Sequence, residues 1–379
     1  MSRAPKTALE DRPEPDRVSG APHPRETLSL IGHHAAEATF LDAYRAGKLH
    51  HGWMITGQLG LGKATMAWKI ARFLLATPDD DGGMFAPPPP ETLDIPPDHP
   101  ISHRLVALSE PRLFLLRRAW DDEKRKLKSM ITVDEVRKLK NYFSLSAADG
   151  GRRVAIIDSV DEMNVAAANA LLKLLEEPPP QVTLLLVSHQ PSKLLPTIRS
   201  RCRELRLAPL SPADMATALA ATGDAPENPV PLAELSGGSV GEAIRIMNLE
   251  GLKLYAGIVS LFATLPRLDR SRAIALAEIG AGRGNEEKFD LILMLIDLFL
   301  ARLARAGTLG YCPPEAASGE AELIARLSPT PQAARHWADL AQGLAARVRR
   351  GRAVNLDPAS LLMDMVLKID ETAGMLAQR

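Results

Sequence analysis

Short apolar runs alternate with amphipathic stretches through the first half of the chain. RVAIID (153–158) and VTLLLVS (182–188) are nearly continuous in apolar residues, the pattern of strands buried on both faces of a parallel sheet. HGWMIT (51–56) and RLFLLRR (112–118) read as further strands, and CRELRL (202–207) alternates as a strand near an edge does. Between them lie helical patterns. ATMAWKIARFLLA (64–76) is one. TVDEVRKLKNYF (132–143) sets Val133, Val136, Leu139 and Phe143 on one face and opens with a Thr132/Glu135 capping box. NVAAANALLKLLEE (164–177) is capped by Asn164 and stopped by Pro178–Pro180. Strand–helix alternation over residues 25–208 predicts an α/β domain, a parallel sheet flanked by helices.

Three stretches fall outside that pattern. Residues 1–24 are polar and Pro-rich, the composition of a disordered segment. Residues 77–100 carry Pro and Gly at a density that predicts a loop insertion. DDEKRKLKSM (121–130) reads as a solvated connector or hairpin tip.

After Pro209 every pattern is helical: 211–221, 237–248, 251–265, 271–281, 286–306, 332–350 and 357–373. A small helical unit over 209–250, followed by an all-α bundle over 251–379, is the simplest division. Leu362, Met365, Val366 and Ile369 recur at core spacing and read as bundle packing.

Length and charge narrow the classes. The chain has 379 residues, room for two or three domains at about 100–200 residues each. Lys+Arg and Asp+Glu are both 46, so no basic excess marks a stand-alone nucleic-acid binder. Cys202 and Cys312 are the only cysteines, too few for a disulfide framework or a four-cysteine zinc site, and suited to a reducing cytoplasm. The first twenty residues show no apolar signal core, and Phe289–Ala301 is broken by Asp290 and Asp297, too short and charged to span a bilayer. A cytoplasmic protein without membrane association is expected.

The chemistry concentrates at GQLGLGKAT (57–65). A strand, a G-x-x-x-x-G-K turn and a helix make a phosphate cradle, with Gly57, Gly60 and Gly62 freeing backbone N–H groups and Lys63 reaching the phosphates. Ala64 stands where a hydroxyl normally holds magnesium, and Thr65 is turned about 100° around the helix from that position. Asp158 ends a buried strand as the second acid of such a site, but Ser159 follows where a water-activating glutamate is needed; Asp161 and Glu162 lie beyond the strand's end. Binding and hydrolysis therefore separate: ATP or ADP can be held here without being cleaved. The pairs His33/His34 and His50/His51 are poor metal candidates, because adjacent residues point in different directions on a helix. RVRRGR (347–352) places positive charge at a helix C-terminus, where the dipole favours it.

Taken together, the loop, Asp158, NALLKLLEEPP (169–179) and the Ser-Arg-Cys of PTIRSRC (196–202) resemble the clamp-loader branch of the AAA+ ATPases of bacterial DNA polymerase III. The opening stretch LIGHHAAEATFLDAYRAGKLHHGWMITG fits that family's first helix and strand, and the spacing from Asp158 to Asn169 supports Asp158 over Asp161 as the acid. The likeness is firm over about 26–210, weaker to 250 and architectural beyond. It implies an α/β AAA+ domain, a helical lid (209–250) and a C-terminal helical collar (251–379). It implies that Arg201 is an arginine finger reaching a neighbour's ATP site, and that Ser188 or His189 stands at a sensing position. Gly241 in GSVGEA occupies the place of a nucleotide-touching lid arginine. The cysteine-free insert 77–100 stands where many relatives carry a zinc module, so no zinc is expected. The implied partners are sibling subunits of the tau/gamma and delta types, a sliding clamp, and primed DNA met through the complex. The expectation is a non-hydrolysing scaffold subunit. Its rival is an active ATPase subunit with Thr65 and Asp161 or Glu162 in unorthodox roles, and a small-molecule P-loop kinase is a remote third.

Overall fold

The computed structural model describes residues 13–78, 88–144, 151–223, 226–282 and 284–378. The chain divides into two compact units. The first comprises residues 1–224 with Ser239–Gly241, and the second Ala225–Gly238 with Glu242–Arg379.

Unit 1 is built on five parallel strands: β1 (Gly52–Thr56), β2 (Leu113–Arg117), β5 (Arg153–Asp158), β6 (Val182–Ser188) and β7 (Arg203–Arg206), in the order β2-β5-β6-β1-β7. Burial follows position in the sheet. Every residue of β1 and β6 is buried, whereas β7 at the edge buries only Leu205. The register aligns the strand ends: Thr56 of β1 pairs Ser188 of β6, and Arg117 of β2 pairs Asp158 of β5. All these chemistry-bearing residues therefore emerge at one edge, the C-terminal ends of the strands, where open α/β sheets place their ligands.

The helices follow the apolar pattern. α1 (His34–Arg45) precedes β1, and α2 (Lys63–Ala76) leaves the glycine loop with eleven consecutive or near-consecutive buried positions. α4 (Val133–Ser144) turns Val136, Leu139 and Phe143 inward, and Glu135 accepts a bond from the Thr132 amide at 2.9 Å, as the capping box predicts. α5 (Val165–Glu176) is capped by the Asn164 side chain on the Ala167 amide, 2.8 Å. These two helices and the sheet share one core around Leu139, Leu171, Leu184 and Leu186. α6 (Pro196–Arg199) and α7 (Pro212–Ala220) close the unit; a Cβ at Gly32 would stand 3.1 Å from Leu210, so the approach to α1 and the start of α7 are in contact.

The structure departs from the sequence reading, or decides between its alternatives, in four places. Residues 13–24, expected to be disordered, are tied down: Arg117 donates to Glu14 at 2.6 Å and to Asp16 at 2.8 Å, Arg25 donates to Glu14 at 2.9 Å, and His23 is buried against Trp68. Residues 1–12 lie outside the described residues. The insert 77–100, described from 88, is anchored by buried Leu93 and by Asp94 on Lys69 at 2.9 Å. It ends in an unforeseen helix, α3 (Pro100–Val106), whose Ile101 amide is capped by His99 Nδ1. The charged connector takes the hairpin alternative, with the two-residue strands β3 (Trp120–Asp121) and β4 (Lys126–Leu127) paired antiparallel.

The fourth departure concerns the boundary. A separate unit over 209–250 is not what forms: α7 belongs to unit 1, while α8 (Pro229–Ser236) and most of α9 (Val240–Asn248) belong to unit 2. Besides apolar packing, a polar network links the helices of unit 2. Arg302 of α12 (Glu286–Leu309) donates to Glu234 of α8 at 3.0 Å and to Glu320 of α13 (Glu320–Leu327) at 2.6 Å. Glu320 is fully buried and also accepts from the Tyr255 hydroxyl of α10 (Gly251–Phe262) at 2.5 Å and the Ala316 amide at 2.7 Å. Every member of this buried network has a partner, the condition under which buried charge is tolerated. Around it α11 (Arg270–Ala281), α14 (Pro331–Ala353) and α15 (Pro358–Ala377) complete a helical bundle, with Leu362, Met365, Val366 and Ile369 in its core as the spacing predicts.

Candidate functional site

The glycine loop runs from the end of β1 into α2. Gly62 is the N-cap at φ 87°, a left-handed conformation, and a Cβ there would meet Leu30 at 2.7 Å; only glycine fits. His33 braces the loop from outside through Nε2 and the Leu61 carbonyl, 2.8 Å apart, which accounts for this histidine without a metal. His51 likewise bonds the Leu175 carbonyl at 2.9 Å.

Lys63 is buried, and its ammonium folds back onto its own loop, donating to the carbonyls of Gly57 (2.8 Å) and Gln58. Burial pushes its pKa down to about 8, with the charges of Asp158 and Asp161 opposing the fall. A phosphate would restore what burial removes. The loop thus fits a phosphate group: free glycine backbone, a helix N-terminus and a desolvated lysine at one place.

Magnesium is a different matter. Asp158 is buried at the end of β5, where its pKa is pushed up to about 7 by burial first, then by the nearby charges of Asp16 and Glu162; Lys63 and Arg117 offset only part of this. Ala64 supplies no oxygen, and Thr65 is half-buried one position around the first turn of α2. Ser159 is buried with an Oγ that lacks a hydrogen-bond partner, so a longer acid in its place would be buried beside Asp158. The residues fit a phosphate and do not fit a phosphate-bound magnesium ion.

Asp161 has a role the sequence did not reveal. Its carboxylate accepts from the Ser188 hydroxyl (2.7 Å), the His189 amide and the Gln190 amide (3.1 Å), and so fixes the turn that follows β6. Both sensing candidates are therefore held by one acid. His189 stays neutral: burial, then the charge of Lys63, pulls its pKa down to about 4, and its Nδ1 has no hydrogen-bond partner.

The N-terminal segment adds acids that sequence reasoning missed. Burial opposes ionisation of Asp16, but His23 and Arg117 outweigh it and hold the carboxyl below the usual range. Its charge reaches Asp158. Ser239–Gly241 completes this edge of unit 1: the Ser239 hydroxyl donates to the Leu59 carbonyl (2.8 Å) and the Gly241 amide to the Gly60 carbonyl (2.9 Å). A Cβ at Gly241 would lie 2.8 Å from Gly60 Cα, so backbone meets backbone where the sequence comparison expects a long side chain.

Arg201 lies apart from the loop. Its Nη1 donates to the Thr197 carbonyl (3.0 Å) and its Nη2 to Glu176 (2.8 Å), while Cys202 beside it is half-buried, the thiol pushed up to about 12 by desolvation. Of the other arginines in this stretch, Arg203 stacks over the Trp53 ring at 5.0 Å.

Residues 32–211 match the family model described as DNA polymerase III, delta subunit. The chain is 38% identical over 152 residues to the DNA polymerase III subunit delta' of Pseudomonas aeruginosa, covering 40% of this chain and 41% of that one. It is 29% identical over 177 residues to the delta' subunit of Escherichia coli, covering 44% and 45%. The matches thus span less than half the length of these relatives. A DNA polymerase III gamma subunit-related protein from Thermotoga maritima superposes with a TM-score of 0.36 at 16% identity, covering 88% of this chain and 99% of that one, a likeness too low to bear on function.

Proposed function

We propose that the protein, whose residues 32–211 match the model of the DNA polymerase III delta subunit family and resemble delta' subunits, is a non-hydrolysing subunit of a DNA polymerase III clamp loader that lends Arg201 to a neighbouring subunit's ATP site. One observation carries the reading: a phosphate cradle stands beside a centre that lacks the magnesium hydroxyl, at Ala64, and the water-activating acid, at Ser159. In phosphoryl transfer the metal and the water-orienting base are central. A site without them binds, at most, ATP or ADP.

The neighbour's chemistry is attack of water on the γ-phosphorus with breakage of the bridging bond to the β-phosphate, giving ADP, inorganic phosphate and a proton. A guanidinium supplied across the boundary offsets the charge that develops on the transferred group. Arg201 is a third exposed and held by contacts that an anion can replace, which suits that role. The helical unit 2 would assemble with sibling subunits of the tau/gamma and delta types, and the complex would place a sliding clamp on primed DNA. The rival reading, an active ATPase, is weakened by the engagement of Asp161 with the β6 turn and by the pairing of Glu162 with Arg118 at 2.8 Å.

The test is co-purification with candidate sibling subunits, with ATP turnover assayed on the isolated chain. Turnover at background is expected; turnover that Lys63→Ala abolishes refutes the reading.

A further inference from the structure

The two motifs that carry the family resemblance, NALLKLLEEPP and Ser-Arg-Cys, meet in space. Glu176, the last residue of α5, receives Arg201 Nη2 at 2.8 Å. Around this contact the backbone is tightly anchored. The start of β1 wedges between the two motifs: a Cβ at Gly52 would meet the Leu175 side chain at 3.0 Å, the Arg201 carbonyl at 3.2 Å and the Cys202 sulfur at 3.4 Å. His51 ties the Leu175 carbonyl to the same place. The arginine therefore has a fixed root, and among the described residues its head rests on the Thr197 carbonyl and Glu176.

The placement of Glu176 has an electrostatic cost. Glu176 and Glu177 sit at the C-terminal end of α5, where the helix dipole disfavours negative charge, with Lys173 one turn back as a partial offset. An acid pair there is better placed for receiving a cation than for supporting the helix. The pair is also easily exchanged. Arg201 is 35% and Glu176 47% exposed, and ion pairs at such exposure shift equilibria by no more than about fivefold. A phosphoryl group, with more charge and oxygens for both Nη atoms, outcompetes a half-exposed carboxylate that receives only one of them.

We propose that Glu176 is a positioning residue: it holds Arg201 retracted on its own subunit until a phosphoryl group of the neighbouring subunit's nucleotide displaces it. The inference rests on the arginine-finger reading above. It makes the neighbour's nucleotide compete with an internal carboxylate, so that removing the carboxylate's charge strengthens nucleotide engagement without altering the chemical step.

The experiment compares Glu176→Gln, Arg201→Ala and the double variant in the reconstituted complex with DNA and ATP, with assembly checked by gel filtration. Glu176→Gln keeps size and an acceptor oxygen but removes the charge. It is expected to lower KM for ATP about two- to fivefold with kcat unchanged. Against the Arg201→Ala background the same change is expected to do nothing. If Arg201→Ala slows turnover but Glu176→Gln leaves KM unchanged, lowers kcat, or acts equally without Arg201, the latch is refuted while the finger stands. If Arg201→Ala itself has no effect, the finger reading falls and the latch with it.

Discussion

Lys63 Nζ donates to the carbonyl of Gly57 at 2.8 Å, so the lysine placed to meet phosphate is closed onto its own loop. Burial leaves its pKa at about 8, and at pH 8 about half the molecules carry the proton. A bound phosphate favours the charged form and draws the rest up. Inorganic phosphate or ADP binding at pH 8, where the phosphate is already almost fully ionised, is therefore expected to take up about half a proton. Calorimetry in two buffers of different ionisation enthalpy reads this directly, and Lys63→Met removes it.

Asp158 is the converse case. Its folded pKa, about 7, lies above the ordinary carboxyl value, so the folded state binds the proton more tightly than the unfolded one. The stability this contributes is fully present below about pH 4 and is lost as pH rises through about 7. Asp158→Asn, which keeps the shape and stays neutral, is expected to stabilise the protein by roughly 1–3 kcal/mol at pH 8 and by little at pH 4. Urea unfolding at the two pH values measures the difference.

Restoring the missing catalytic groups is not expected to create an ATPase. Ser159 is buried next to Asp158, so Ser159→Glu forces a second carboxyl into the same space, at a cost of about 2–4 kcal/mol. The combined Ala64→Thr, Ser159→Glu variant is expected to melt earlier and to show background turnover. A well-folded, active double variant would contradict the site as described.

Gly241 meets Gly60 backbone to backbone, and no side chain fits between them. Gly241→Ala is expected to cost about 1–3 kcal/mol, because a methyl group at 2.8 Å from Gly60 Cα forces one of the two segments to move. Gly241→Arg should lower stability at least as much and add no nucleotide affinity. Denaturation curves and ADP titration of both variants check this.

What the sequence disclosed and what it hid follow from the range of the forces involved. β6 and α5 announce themselves because seven successive buried positions in one, and an asparagine cap with a proline stop in the other, are local signals. The cradle is local as well: glycines and a lysine within seven positions. α3, α8 and α13 are seven or eight residues long, too short for a period to show, although Pro100 and Pro229 at their first positions were usable start signals. The order of residues 13–24 depends on Arg117, about a hundred positions away. Asp161 reads as a loop acid until the fold delivers the Ser188, His189 and Gln190 donors to it. The placement of α8 in the helical half includes a part-buried ion pair between Arg302 and Glu234, 68 positions apart, which no local spacing encodes.

The central claim is that the chemistry this chain serves happens in its neighbour, and the most direct measurement is DNA-stimulated ATP turnover of the reconstituted complex carrying Arg201→Ala or Arg201→Lys. With assembly and nucleotide binding intact, turnover is expected to fall by about tenfold or more in both, since an ammonium cannot reproduce the guanidinium's fork. Turnover equal to that of the unmodified complex would contradict the account.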